Sequence, residues 1–456
     1  MTSLLRKFCF KNESKTKKLN ERVYDKAGYD YTLGPAMHVL KLSGIRMTHK
    51  ISEKTTKLWN IYYWSQLINL SILVPSETAS MWITVSQAET FIDAIQVFGM
   101  MPCFGCLILS IIKSYKMVHH RPMLENLVNE LRDMWPEGEL SEEEHVLIKK
   151  SFRQLRFISK GYYYVNNALL ISYMTPTIYF TILRNCGYDY PIGNMVFMYW
   201  LPFDVFRPIR FEILLVAQTW HAIIVIWLNV AFDISFCLFL CHITTQFDLL
   251  ARRVQHLFYV KVDQQLVSSY PMAAVSDELI RLEGERVESY GDSYWEERQH
   301  KEIVAIVQRH HALIRLRGDV EDLCSFALLI NFINSSIIIC FCGFCCVLFE
   351  KWNEMAYKSF LTTSLSQTFL LCWYGQKLID ASQRLSDALY NCGWYNTGSK
   401  KARSAVLIMM HRAQKGIYVT TYGFSIISLA SYSTIIKSAW SYFTLLLNFF
   451  KDKSID

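Results

Sequence analysis

Charge is scarce in this chain, and its longest apolar runs have none. Asp, Glu, Lys and Arg make up 19% of the 456 residues, and Gly161–Leu183 and Leu323–Phe349 contain none of the four. Uncharged runs of about 20 residues are what a helix needs to cross a hydrocarbon core, so a set of soluble domains is excluded. Gly-x-Ser-x-Gly, His-Glu-x-x-His, a P-loop and a Rossmann glycine pattern are all missing. No catalytic residue and no cofactor are therefore expected. No repeat with a period of about 20–50 residues stands out, which argues against an inverted-repeat transporter. The first 30 residues are basic and lack an apolar core, so no cleaved signal peptide is expected. The 13 cysteines lack metal-binding company. Cys103, Cys106, Cys340, Cys342, Cys345 and Cys346 lie in apolar runs, where thiols act as small hydrophobes and no metal is expected.

What is present is a set of apolar runs separated by basic segments. Seven spans are predicted: Leu58–Pro75, Phe91–Ile112, Gly161–Leu183, Ile213–Leu240, Leu323–Phe349, Ser359–Gln376, and a long final run, Gly416–Phe450. Segments 1–57, 113–160, 241–322 and 377–415 hold 39 of the 47 Lys and Arg. The positive-inside rule puts that set in the cytoplasm, with the N-terminus inside and the C-terminus outside. The fold class is thus an all-α membrane protein. The net charge of +7 reflects sidedness and a Lys-rich leader; the leader reads as a flexible tail or as a contact for membrane lipids, and no nucleic acid is expected.

Six segments follow. Residues 1–57 form a cytoplasmic N-terminal part, with a short interfacial or re-entrant stretch at 34–47. Residues 58–240 carry four spans and a ligand pocket. Residues 241–322 form a cytoplasmic loop and helical extension, loosely ordered over Ser268–Trp295 and helical from Glu297. Residues 323–376 carry two spans, 377–415 a cytoplasmic anchor, and 416–456 the last helix and a short tail. In 113–160, Met123, Leu124, Leu127, Leu131 and Met134 repeat at helical spacing, Pro136-Glu-Gly breaks the pattern, and Ser141-Glu-Glu-Glu restarts a helix. His310 and His311 read as a solvated pair. The aromatic loop 184–212 is too apolar for a free connector, and two readings stay open: a lid over a cavity, or interfacial anchoring.

The outer halves of several spans carry aromatic and mid-sized apolar residues: Phe91, Ile95, Tyr173, Met174, Ile178, Trp220, Ile224 and Phe360. His221 and Thr363 (with Thr175) add sparse polar atoms. Such a lining suits a small volatile or lipid-like molecule; plain span packing is the alternative. Asp93, His221, Asp233 and Lys437 are ionisable residues inside spans, with Asp233 suited to a basic partner on another span.

The final run would reach ~50 Å as one helix, well beyond a ~30 Å core, so it must tilt, break or extend. Thr434, Ser438, Ser441, Leu445 and Asn448 share one narrow face of it, with Lys437 at the edge. A polar stripe in lipid needs water or a polar partner, which points to pore lining or to packing through small residues.

From Leu371 to Leu446 the chain resembles the insect odorant receptors. The resemblance is carried by LCWYGQKLIDASQRLSDALYNCGWY, then HRAQKG, then SYSTIIKSAWSYFTLL. Trp373-Tyr374-Gly375, Trp394-Tyr395 and Ser441-Tyr442-Phe443 are the specific elements. Leu201-Pro202-Phe203-Asp204 and His310-His311 extend the match weakly. The resemblance implies a non-selective cation channel of four subunits in the plasma membrane of a sensory neuron, opened by a small hydrophobic odorant bound among spans two, three, four and six. It implies that the last helix lines the pore, with Leu445 and Phe449 at an apolar gate beside Asn448. It also implies that segments such as Ala402–Gln414 hold the subunits together. The ending looks like that of a tuning subunit, which works with a shared coreceptor; the long 241–322 segment keeps the coreceptor itself as an alternative. A G-protein-coupled heptahelical receptor is disfavoured by the inverted orientation and by the missing Asp-Arg-Tyr and Asn-Pro-x-x-Tyr elements.

Overall fold

The computed structural model describes residues 23–42, 44–45, 53–87, 91–188, 196–197, 199–204, 207, 209–255, 257–258, 292–348, 353–397 and 399–453. The side chains of 91–99 and 449–453 fall outside that description, as does Ser268–Trp295 up to residue 291. Asp93, Phe91, Ile95 and Phe449 are therefore described only by their helical backbone.

The helices are α1 Lys26–Leu42, α2 Glu53–Ser86, α3 Phe91–His119, α4 Arg121–Asp133, α5 Glu142–Asn185, α6 Arg210–Gln255, α7 Asp292–Leu348, α8 Asn353–Tyr390, α9 Lys400–Gln414 and α10 Leu429–Lys453. Two short strands, β1 Val23–Tyr24 and β2 Gly138–Glu139, pair antiparallel. The stretch at 34–47 falls largely within α1, which buries Leu33, Ala36, Val39 and Leu40. The Tyr29 hydroxyl in α1 donates to the Val128 carbonyl of α4 at 2.8 Å. In α4, Leu124, Leu127 and Leu131 are buried on the expected face. The Ser141 side chain accepts from the Glu144 N–H while Glu144 reaches back to the Ser141 N–H, satisfying donors that every helix start leaves open.

The long helices are apolar on the outside. Helix α2 exposes Leu58, Ile61, Ile68 and Ile72 and buries Tyr63, Leu67 and Leu70. Exposed apolar faces of this size mark contact with lipid rather than water. Helices α3, α6 and α7 are long and apolar enough to cross a membrane on length and composition alone. Pro75 does not end the first span: α2 runs through it to Ser86, since neighbouring segments can satisfy the backbone group a proline frees in a membrane helix.

The final run breaks. Residues 416–428 form an irregular turn, and α10 begins only at Leu429, leaving 25 helical residues or ~37 Å. Tyr422 (φ 52°) and Gly423 (φ 81°) both adopt the left-handed conformation, which ends regular helix. The turn is closed by Thr421 N–H to the Ser425 carbonyl at 2.8 Å and Ile427 N–H to the Val419 carbonyl at 2.9 Å. The Glu321 carboxylate of α7 accepts from the Thr420 N–H at 3.0 Å and from its hydroxyl. On α8, a Cβ at Gly375 would stand 2.2 Å from the Ile427 carbonyl oxygen, so only glycine lets the turn lie against that helix.

The chain divides into two compact units. One comprises 1–241, 319–376 and 419–456; the other comprises 242–318 and 377–418. In the second unit the N-terminal part of α7 buries Ile303, Ile306, Leu313 and Leu316, and α9 buries Ala402, Val406, Met409 and Ala413. Arg384 bonds Asp248 Oδ1 through Nε at 2.8 Å and Nη2 at 2.7 Å. His310 corrects the expected solvated pair: it is buried, edge-on to Phe247 with ring centroids 6.1 Å apart. His311, ~100° further around the helix, stays exposed.

Candidate ligand site and pore helix

One largely apolar cavity lies within the first unit, with about 80 Å³ open to the centre of a water molecule. Helices α3, α5, α6 and α8 supply most of its wall, with Leu73 and Glu77 from α2 and Ile338 from α7. The Tyr173 ring meets Phe360 edge-on at 5.5 Å and Phe197 at 5.7 Å. Its hydroxyl accepts from the Cys103 thiol at 3.2 Å and donates to the Val196 carbonyl at 3.4 Å. The loop after α5 forms part of the wall through Phe197 and Tyr199. Gln218 fixes that loop, accepting from Val196 N–H at 3.2 Å and donating to the Phe197 carbonyl at 2.9 Å. Ser76 and Trp200 hold it to α2 through two further bonds of 2.9 and 3.2 Å.

Of the expected ligand residues, Tyr173, Met174, His221, Phe360 and Thr363 line this cavity. Three others sit elsewhere. Trp220 is exposed on the same outward face of α6 as Ile213 and Val216, one position out of phase with His221. Ile224 is buried without lining the cavity, and Ile178 packs on the cluster around Met174, Phe211 and Leu215. Thr175 is exposed and donates to the Ile171 carbonyl at 2.6 Å.

A buried polar network includes one cavity residue, Gln367. Lys113 Nζ lies 2.7 Å from Asp233 Oδ1, and both side chains are wholly buried. Tyr162 donates to Asp233 Oδ2 at 2.8 Å, Gln367 Nε2 does so at 2.6 Å, and Lys113 also reaches Asn331 Oδ1 at 3.3 Å. A low-dielectric site tolerates such a pair better the more of its hydrogen-bonding capacity is met; Asp233 accepts three bonds, and Lys113 makes two, with the Phe232 ring centroid 5.3 Å from its Nζ. Lys113, the first basic residue of segment 113–160, is thus paired inside the bundle.

On α10, Thr434, Ser438, Ser441, Leu445, Asn448 and Lys437 are all exposed, whereas Ala439 is buried. Thr434 and Ser441 donate to the carbonyls four residues back at 3.1 and 3.0 Å. Their hydroxyls are satisfied by their own helix while their lone pairs face outward.

Residues 93–440 match the family model described as 7tm Odorant receptor. The chain belongs to that family. Odorant receptor 67c of Drosophila melanogaster is 26% identical over 396 residues, covering 85% of this chain and 88% of the fly protein. Odorant receptor 85c of the same fly is 27% identical over 408 residues, covering 86% and 92%. The odorant receptor coreceptor of Ooceraea biroi is 28% identical over 143 residues, only 31% of this chain and 30% of that protein. The insect olfactory receptor OR5 from Machilis hrabei, solved in complex with eugenol, aligns with a TM-score of 0.73 over 93% of this chain and 100% of that one, at 15% identity. That likeness shows the fold, a helical membrane bundle. An odorant receptor is not an enzyme, which agrees with the missing catalytic motifs.

Sequence reasoning passed over several wall residues of this odorant receptor. Glu77 lies two residues beyond the first predicted span and is buried in the wall. Asn166, Asn229 and Gln367 also line the cavity. Their signal is that of amides set inside largely apolar spans.

Proposed function

We propose that this chain is the tuning subunit of an odorant-gated, non-selective cation channel in the plasma membrane. A small hydrophobic volatile occupies the cavity, and the final helix lines a central pore shared with coreceptor subunits in a tetramer. The observation that carries the reading is an apolar cavity with sparse polar atoms in a chain whose last helix turns a polar stripe outward. In a single chain that stripe faces nothing; around a shared axis it would face water. The basic segments keep the N-terminus cytoplasmic and the C-terminus outside. Exposed Leu407 and Ile408 on α9 suit contact between subunits.

Gating requires tighter binding to the open state than to the closed one. Leu445 and Phe449 form the apolar constriction, with Ser441 and Asn448 beside it, and opening wets the pore as they leave the axis. The tuning role is supported by five fly odorant receptors that align over 83–89% of this chain; the ant coreceptor aligns over 31%, as two further fly receptors do over 34% and 32%.

Whole-cell recording under an odorant panel tests this reading, with the chain expressed alone and then with a coreceptor. Expected are fast inward currents that need the coreceptor, survive G-protein inhibitors, and gain a standing leak in Leu445→Ala. Responses abolished by G-protein block would overturn the channel mechanism. Full currents from the chain alone would overturn the tuning role.

A further inference from the structure

The cavity wall carries polar atoms that no protein group satisfies. Asn69 Nδ2 lies 2.8 Å from His221 Nε2. An amide nitrogen can only donate, so Nε2 accepts and the neutral ring carries its proton on Nδ1. That Nδ1–H is buried and has no partner. Glu77, 6% exposed, presents Oε2 without a partner, and the Thr363 hydroxyl and Asn229 Oδ1 are likewise unpaired. Glu77 and His221 both stand near Tyr199. The His221 ring centroid is 6.5 Å from that of Tyr199. The Glu77 carboxyl adds to burial in pushing the Tyr199 phenol upward.

Buried donors left unpaired are rare because they forfeit their bonds to water, so their presence in a cavity describes what is meant to enter it. We propose that the cavity selects small uncharged molecules carrying one carbonyl-type oxygen, which accepts from His221 Nδ1–H, with Glu77 in its protonated form as the second donor. The inference rests on reading this cavity as the odorant site. A carbonyl oxygen has two lone pairs, so it can accept from an imidazole N–H and from a carboxylic acid O–H. An alkane of the same size leaves both unpaired. An alkylammonium would have to surrender its hydration to a wall of mostly apolar side chains around a single carboxyl group, and an ion pair so buried recovers little of that loss.

The test uses the full chain with its coreceptor and matched straight-chain ketones, primary amines and alkanes, with surface labelling to report folded receptor. Ketones should be the most potent in the wild type. His221→Phe should weaken ketones about tenfold relative to alkanes. Glu77→Gln, which keeps a donor and an acceptor, should retain the ketone response, whereas Glu77→Leu should lower it. A wild type that answers no ketone, or answers ketones and alkanes alike, overturns the proposal. So does an amine response that Glu77→Gln removes, or a His221→Phe channel with unchanged ketone potency. Ala222→Trp, which fills the cavity, separates the two levels. Currents that survive it at normal surface labelling defeat the cavity as the odorant site. Currents that it abolishes while His221→Phe changes nothing defeat only the ligand class.

Discussion

Lys113 and Asp233 lie 2.7 Å apart with no exposed side-chain surface, so neither can lose its partner without leaving a bare charge in the bundle. Lys113→Met should destabilise the receptor by about 3–5 kcal/mol, read as a lower melting temperature in detergent and reduced surface delivery. Adding Asp233→Leu should recover part of that loss, because two apolar side chains bury no unpaired charge. Gly375→Ala should cost about 2–3 kcal/mol, since its methyl carbon would stand 2.2 Å from the Ile427 oxygen. Backbone has less room to give way than a side chain tip. The sequence made Asp233 conspicuous but hid its partner 120 residues away. Lys113 sits just past an apolar run, where a lysine normally reaches for headgroups. Gly375 was visible as part of a motif, yet its physical reason appears only when the turn at 427 is seen against α8.

Among the elements, local signals read best. The Ser141–Glu144 capping box and the buried face of α4 follow from spacing alone, because both are settled within one or two turns. The final run shows the limit: its hydrophobicity is continuous, and only the left-handed pair Tyr422-Gly423 and the anchor at Glu321 end one element and start another. Cavity residues were legible in half measure for a related reason. A helical wheel tells inside from outside only when the outside is polar, and in lipid both faces are apolar, so Trp220 was assigned to the wrong side of α6. The start of α7 carries a pH prediction. Burial holds His310 down at about 4, with Arg412 and then His311 pushing the same way. The unfolded chain, with an ordinary value near 6.5, then binds more protons than the folded one between about pH 4 and 6.5. Stability should therefore fall as pH drops through that window, by up to about 3 kcal/mol from this group. A melting curve run from pH 7 to 4.5 should show the decline, and His310→Gln should flatten it.

At the scale of the molecule, sidedness is set by where 39 of the 47 basic residues fall. A glycosylation acceptor appended after Asp456 should be modified, and one inserted between residues 261 and 290 should not; a gel shift distinguishes them. The native sequon at Asn69 should stay bare, since its side chain bonds His221 within the bundle.

Helix α8 has a consequence of another kind. It carries Phe360, Thr363 and Gln367 in the cavity wall, and Gly375 against the turn that precedes α10 lies only ~12–22 Å further along the same rod. Cavity wall and turn contact thus occupy separate stretches of one short piece of sequence. With the cavity as the proposed odorant site, drift at 360, 363 and 367 after a gene duplication would alter what a copy smells while the contact at 375 is inherited unchanged. A lineage can then diversify its noses without reinventing the valve.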